Sequence, residues 1–277
     1  MHPKSIFLFL FGIIISINSA VAQDANSSPY KTDLLKDGIY ITAGIGLNVL
    51  GLSFVQNKDA LTIDELNAKS KNDIWKVDRW AAGNYSDQAN TDSYIPLYAS
   101  LVLPFALMIN EDERNHAGQI SVLFVETMAT TGALFTMSAG LVQKSRPLVY
   151  NTALSNEKRI AKDEQRSFFA GHTAATAAAT FFAAKVYNDF HPDSNLKPLI
   201  WGVAAAIPAS VGYLRIKAGK HFLTDNLIGY AVGAASGILI PELHKRTNDN
   251  LKIYPTMGLN PGGLNSNYQG LAMNYSF

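Results

Sequence analysis

Apolar residues in this chain gather into long runs separated by polar stretches, a pattern that predicts helices over most of its length. The run GIYITAGIGLNVLGLSFV from Gly38 is broken only by small residues and Asn48 and predicts a helix over 38–56. YIPLYASLVLPFALMIN (94–110) predicts a second, with Pro96 suited to a first turn and Pro104 placing a kink. The third, 119–142, carries Glu126 among apolar and small residues. An ionisable group in such a helix marks a site or pathway, or is satisfied by neighbouring threonines, and Glu126 is left unassigned. TAATAAATFFAAKVY predicts a fourth helix starting near Gly171, by its alanine content. A fifth opens at Pro198, kinks at Pro208 and ends at Arg215, and Gly219 supplies the turn that follows. The sixth runs from about Phe222 to Lys245, with Gly229, Gly233 and Gly237 spaced for close backbone contact.

After Thr247 the period changes to two. Leu251, Ile253, Pro255 and Met257 share one face, as do Leu271, Met273, Tyr275 and Phe277, with NPGGLNSN as a turn-rich loop between. The expected fold class is all-α, a six-helix bundle core with a short C-terminal β-hairpin docked on the helices. Two polar interruptions stand out. Within 56–93, WKVDRWAAGNYS reads either as an amphipathic element at a membrane interface, where tryptophan prefers to sit, or as a solvated loop packing two aromatics on the core. The stretch 144–166 reads as a short surface helix or a mobile lid that helps set substrate access.

The start, MHPKSIFLFLFGIIISINSAVAQ, has a short basic beginning, an apolar run from Ile6 to Ile17 and Ala20-Val21-Ala22 before Gln23, the layout of a secretory signal peptide over 1–22. An uncleaved anchor is the alternative, although the run is shorter than the ~20 residues a span needs. The remaining organisation is an N-terminal helix and polar interfacial segment over 23–93, a catalytic helical bundle over 94–246 with the 38–56 helix packed on it, and the 247–277 tail.

Hydrophobic residues make up 48% of the chain and charged residues 16%, the latter well under the roughly 25% of ordinary soluble domains. Much of the surface is therefore expected to face lipid. A formal net charge of +1 with no basic stripe excludes nucleic acid as a partner. The absence of cysteine excludes disulfides and thiol catalysis.

Arg215, His221 and Asp225 stand in LRIKAGKHFLTD with spacing Arg-x5-His-x3-Asp, and His172 follows Gly171 in SFFAGHTA. In a helix from about Phe222, His221 and Asp225 would share a face, where a carboxylate can hold an imidazole through its Nδ1 proton and leave the other nitrogen free to attack. Histidine so held suits attack on phosphorus, and the planar fork of arginine suits phosphoryl oxygens. His172, at a helix start that favours an anion, is placed to protonate a departing oxygen.

With Arg146-Pro147 in QKSRPLVYN, the set resembles the phosphatidic acid phosphatase type 2 superfamily, which includes lipid phosphate phosphatases, bacterial acid phosphatases and vanadium haloperoxidases. Its three blocks are Lys-x6-Arg-Pro, Pro-Ser-Gly-His and Ser-Arg-x5-His-x3-Asp, and the resemblance spans about 139–225. It implies that His221 forms a phosphohistidine, that Asp225 orients it, that His172 is the general acid, and that Arg146, Arg215 and the Gly171 amide hold the phosphate. It implies no metal and no cofactor. The family lysine falls on Ala139, its Pro-Ser on Phe169-Ala170 and its third-block serine on Leu214, and Lys144 is the candidate to replace the lost cation. His2, His116, His191 and His244 have no comparable partners and receive no role. The implied activity is a metal-independent phosphatase acting on a phosphomonoester or a lipid (pyro)phosphate. A vanadate-dependent haloperoxidase and a non-catalytic lipid-binding relative are the alternatives.

Six segments of alternating direction bring the three blocks to one end of a bundle. Their apolar content suits a membrane enzyme with a periplasm-facing site, and their alanine, glycine and polar content also suits a soluble periplasmic one. If the signal is cleaved and all six segments cross, the catalytic end falls on the cytoplasmic side, so at least one of those conditions fails for an external site. The sequence specifies neither the substrate nor the oligomeric state.

Overall fold

The computed structural model describes residues 28–246, together with the backbone of 251–259 and 267–275. The expected signal peptide lies outside the described residues. Among the described residues there are six long helices: α1 Leu34–Gln56, α2 Tyr94–Ala106, α3 Ala117–Leu141, α4 Gly171–Phe190, α5 Lys197–Lys217 and α6 Leu223–Leu243. Asp33 caps α1 through its carboxylate, which accepts from Leu35 N and Lys36 N, and Pro198 sits in the first turn of α5. Pro104 and Pro208 lie inside α2 and α5.

The fourth helix is the centre of the bundle. Its alanines and threonines are buried along most of its length, and it packs on α2, α3, α5 and α6. The glycine spine of α6 explains the closest of these contacts. A Cβ at Gly233 would lie 2.1 Å from Ala174 O, so only glycine lets the two backbones meet. On the other side α1 packs on α3, and Asn48 is used there rather than tolerated, since its Nδ2 donates to Gly44 O and Ala129 O, both at 2.9 Å.

Among the described residues, five helical segments are long and apolar enough to cross a membrane: α1, Asp87–Ile109 (which contains α2), α3, α5 and α6. They support membrane association. The fourth of the segments read from the sequence, α4, is not among these five, and its small residues are buried against neighbouring helices. Outward-facing apolar side chains, such as Leu34, Ile39, Val49, Ile95, Val102 and Leu243, fit the same conclusion. Trp75 and Trp80 are 70% and 60% exposed; of the two readings of their segment, packing on the core is not what the structure has.

The helical unit extends to His244, and Lys245–Phe277 forms a second unit. In that unit the backbone strands β1 Leu251–Leu259 and β2 Asn267–Tyr275 pair antiparallel, with Leu251 opposite Tyr275 and Leu259 opposite Asn267.

Candidate active site

The segment after α3 returns across the bundle end as a short backbone ladder. Lys144 N donates to Gln165 O, Arg146 N to Glu164 O at 2.9 Å and Ser167 N to Lys144 O at 2.9 Å. The stretch 144–166 is therefore bonded into the site, with a short helix Asn156–Ile160 and a 3-10 turn Lys162–Gln165, and it is not a free lid. It delivers Arg146, Glu164 and Ser167 beside the start of α4 and the junction of α5 and α6.

Gly219 makes that junction. Its φ of +70° is in the left-handed region, and a Cβ there would lie 1.9 Å from Asn84 O. The turn presents Lys220 and His221. His221 is 3% exposed, and its Nδ1 is 2.6 Å from Ser167 O. A carbonyl can only accept, so Nδ1 carries the proton and Nε2 keeps its lone pair. Burial first, then the charges of Arg215 and Arg146, push the His221 pKa well below the ordinary value, which keeps that lone pair free at neutral pH.

His172 is the second residue of α4 and lies edge-on to the Tyr94 ring at 4.8 Å between centroids. Burial, then Arg215 and Arg146, hold its pKa down to about 3. The amides that open α4 have no acceptor within the helix. Gly171 is required there by the Phe135 ring, whose Cε2 would lie 2.6 Å from a Cβ.

Two buried arginines face both histidines. Arg215 Nη1 donates to Asn90 Oδ1 at 2.7 Å and Ser93 Oγ at 3.3 Å, neutral groups that hold it without discharging it. Arg146 Nη1 pairs with Glu164 Oε2 at 3.0 Å, and Lys220 Nζ takes Glu164 Oε1 at 3.0 Å. Burial pushes the Glu164 carboxyl up, but Arg146 and Lys220 outweigh it and hold it below its usual range, so it is ionised. Arg146 Nε, Arg215 Nε and His172 Nε2 are buried with no hydrogen-bond partner among the described residues. The two guanidinium N–H groups call for an acceptor, and an anion lying between the arginines and His172 would supply it.

Two expectations are corrected. Asp225 does not hold the His221 ring. The helix begins at Leu223 with Phe222 as its N-cap, so His221 lies before the helix and the four-residue spacing is not a helical face. Asp225 instead accepts from Phe222 N at 3.0 Å and Ser167 Oγ at 2.6 Å, and so fixes the residue whose carbonyl orients His221. Lys144 does not replace the lost family cation either: its Nζ bonds Asp225 Oδ1 at 2.7 Å, with Asp78 Oδ2 at 3.7 Å. A carboxylate buried to 0% exposure needs that charge, and it draws Lys144 away from the arginines. The third cation beside them is Lys220, which sequence reasoning missed although it immediately precedes His221. Ala139 is fully buried, and its carbonyl accepts from Lys58 Nζ at 2.9 Å, a cap on the end of α3.

The described residues therefore bring together Arg146, Gly171, His172, Arg215 and His221, with Asp225 one residue removed. All lie in the segment, residues 121–249, matched by the family model described as PAP2 superfamily. That match supports phosphatase activity in general. A solved PAP2 structure, described as the first transmembrane PAP2 type phosphatidylglycerolphosphate phosphatase from Bacillus subtilis, aligns over 72% of this chain and 94% of its own length, at 18% identity and a TM-score of 0.46. No curated protein sequence matches the chain.

Proposed function

We propose that this PAP2 protein hydrolyses a phosphomonoester or the terminal phosphate of a lipid pyrophosphate through a phosphohistidine on His221, with side chains rather than a metal ion supplying the charge at phosphorus. The observation that carries this reading is the pair of buried arginines with unspent donors beside a histidine whose Nδ1 proton is committed to a carbonyl. Nε2 of His221 bonds to phosphorus as the bond from phosphorus to the leaving oxygen breaks, and His172 gives that oxygen its proton. Neutral His172 then takes a proton from the water that attacks the phosphohistidine, releasing phosphate and restoring His221. Arg146, Arg215, Lys220 and the first amides of α4 stabilise the charge on the phosphoryl oxygens throughout.

His172 is neutral in the free protein, so the leaving-group proton arrives with the phosphate monoanion. Once bound, the anion offsets the cationic field and His172 takes that proton up. Lipid phosphates fit the apolar surface of the bundle, and Trp75 and Trp80 fit an interface close to the site. We place the catalytic end outside the cytoplasm. The chain has no cysteine, so a Trp75→Cys variant labelled in intact cells by an impermeant maleimide supports that side, and labelling only after lysis refutes it.

The test of function is phosphate release from phosphatidic acid, an undecaprenyl-type pyrophosphate, a lipid A phosphate and a small aryl phosphate, measured in detergent below the melting point, with and without chelator. Release that persists with chelator and is lost in His221→Ala is the expected result. Bromide oxidation by the vanadate-loaded protein, with no phosphate released from any substrate, would overturn it.

A further inference from the structure

At the end of the bundle opposite the phosphoryl site, three helices bring together Asp37, Glu126 and His244. Asp37 is in the first turn of α1, Glu126 lies in α3, and His244 caps the C-terminus of α6. The length of α6, 21 residues at about 1.5 Å each, separates His244 from His221 by roughly 30 Å. The cluster therefore belongs to a different site.

Its geometry is that of ligands rather than of hydrogen-bond partners. His244 Nδ1 is 2.8 Å from Ile240 O, which can only accept, so Nδ1 carries a proton and, in the neutral ring, Nε2 presents the lone pair. That lone pair faces Glu126 Oε2 at 3.4 Å and Asp37 Oδ1 at 3.5 Å. In the neutral ring that lone pair is opposed to two carboxylate oxygens, which is repulsive unless a cation, a metal ion or the ring's own second proton, lies between them. Both distances exceed a normal hydrogen bond of about 2.7–3.2 Å. They match the separation of about 3.3–3.4 Å between ligand atoms around a tetrahedral ion with bonds of 2.0–2.1 Å. The donor atoms of all three residues lie within 4.8 Å of one another.

A second observation is independent of that spacing. Glu126 is 1% exposed, and neither of its oxygens has a hydrogen-bond partner among the described residues. The neighbouring threonines do not satisfy it: Thr130 bonds the Glu126 backbone carbonyl instead. A buried carboxylate with both oxygens unspent demands a positive charge. The other two residues are already oriented from behind, His244 by Ile240 O and Asp37 by Asp33 N, which donates to Oδ2 at 2.7 Å. Such outer partners fix metal ligands in their binding pose.

We infer that Asp37, Glu126 and His244 form a binding site for a first-row divalent metal ion, zinc above all, that clamps the start of α1 to α3 and the end of α6. Two carboxylates and a neutral imidazole carry a charge of −2, which a divalent ion cancels. The nitrogen ligand favours zinc and its neighbours over calcium or magnesium. The clamp meets a need of the fold, because α1 exposes much of its surface and packs chiefly on α3.

The test uses the full chain in detergent, purified without chelator, with metal content measured by mass spectrometry after dialysis. About one zinc per chain is expected, falling to background in Glu126→Gln and His244→Ala. Added back to stripped protein at about a hundredfold over Kd, zinc should raise Tm by roughly 5–10 °C. If the variants do not fold, cobalt titration of the wild type decides: with no thiolate in the chain, visible d–d bands that zinc abolishes must come from nitrogen and oxygen ligands. No stoichiometric metal together with no change in Tm or in the cobalt spectrum, or equal metal in wild type and folded variants, would overturn the site. The first of those results would leave a protonated His244 as the cation between the carboxylates. Phosphate release plays no part in the readout, so failure here leaves the proposed phosphatase standing.

Discussion

Gly229→Ala should slow catalysis without altering any group in the pocket. Gly229 lies one turn past Asp225 on α6, and a Cβ there would sit 2.5 Å from Ala170 O. Opening that contact to between 3.0 and 3.4 Å moves the start of α4 by about 0.5–0.9 Å, and Ala170 is followed directly by Gly171 and His172. A misplacement of about 1 Å in a reacting group can cost about a hundredfold, so kcat should fall by roughly 10- to 100-fold. Gly237→Ala is the control: its Cβ would meet Ala178 O at 2.6 Å, a similar clash two turns farther from the site. Both variants should lose about 1–3 kcal/mol of stability as overpacked helix contacts. Only Gly229→Ala should lose turnover per folded molecule beyond about threefold. Thermal melts and steady-state kinetics on the two proteins suffice. Equal losses of kcat in both, or an unchanged kcat in a destabilised Gly229→Ala, would refute the claim that α4 and α6 set the spacing of the two histidines.

Lys220→Ala should weaken inhibition by inorganic phosphate about tenfold, the loss of one charged contact to an anion; Lys144→Ala should lower Tm and leave that inhibition constant in place. His172→Ala should cost about 10²–10⁴-fold with an alkyl phosphate, the usual range for a lost general acid, and far less with a nitrophenyl ester that needs no proton. The pH profile follows from the two histidines. His221 must be neutral to attack, and its depressed pKa puts that limb of kcat/KM below the ordinary 6.5. Because the proton enters with the phosphate monoanion, kcat/KM should fall above about pH 6, near the second phosphate pKa. A profile that instead rises through pH 6.5 would contradict the protonation states assigned to both residues.

The helices were legible because apolar runs of this length have few alternatives, and the gathering of Arg146, His172, Arg215 and His221 at one end follows from helices of alternating direction. The glycine spacing of α6 likewise announced a close backbone contact, and the structure supplies α4 as its partner. The partner of His221 was not legible, since a backbone carbonyl such as that of Ser167 has no signature in a sequence. Asp225 was misassigned over a single helix boundary: a start at Leu223 makes it the N3 residue, whose carboxylate folds back on the cap instead of reaching along a helix face. Lys220 takes the place expected of Lys144 for a related reason, because which cation reaches an anion site depends on the turn at Gly219 and on the demand of buried Asp225. Asp37, Glu126 and His244 lie about ninety or more residues apart, so no local spacing connected them, and His244 and Glu126 looked solitary until the helices were packed.

The most direct test of the account is to quench the working enzyme after mixing with a substrate labelled in its transferable phosphate, and to locate the label. The account predicts a phosphoryl group stable to alkali and labile to acid, carried by the peptide that contains His221 and lacking in folded His221→Ala. Rapid turnover with no labelled protein, or label on any other residue, would contradict it.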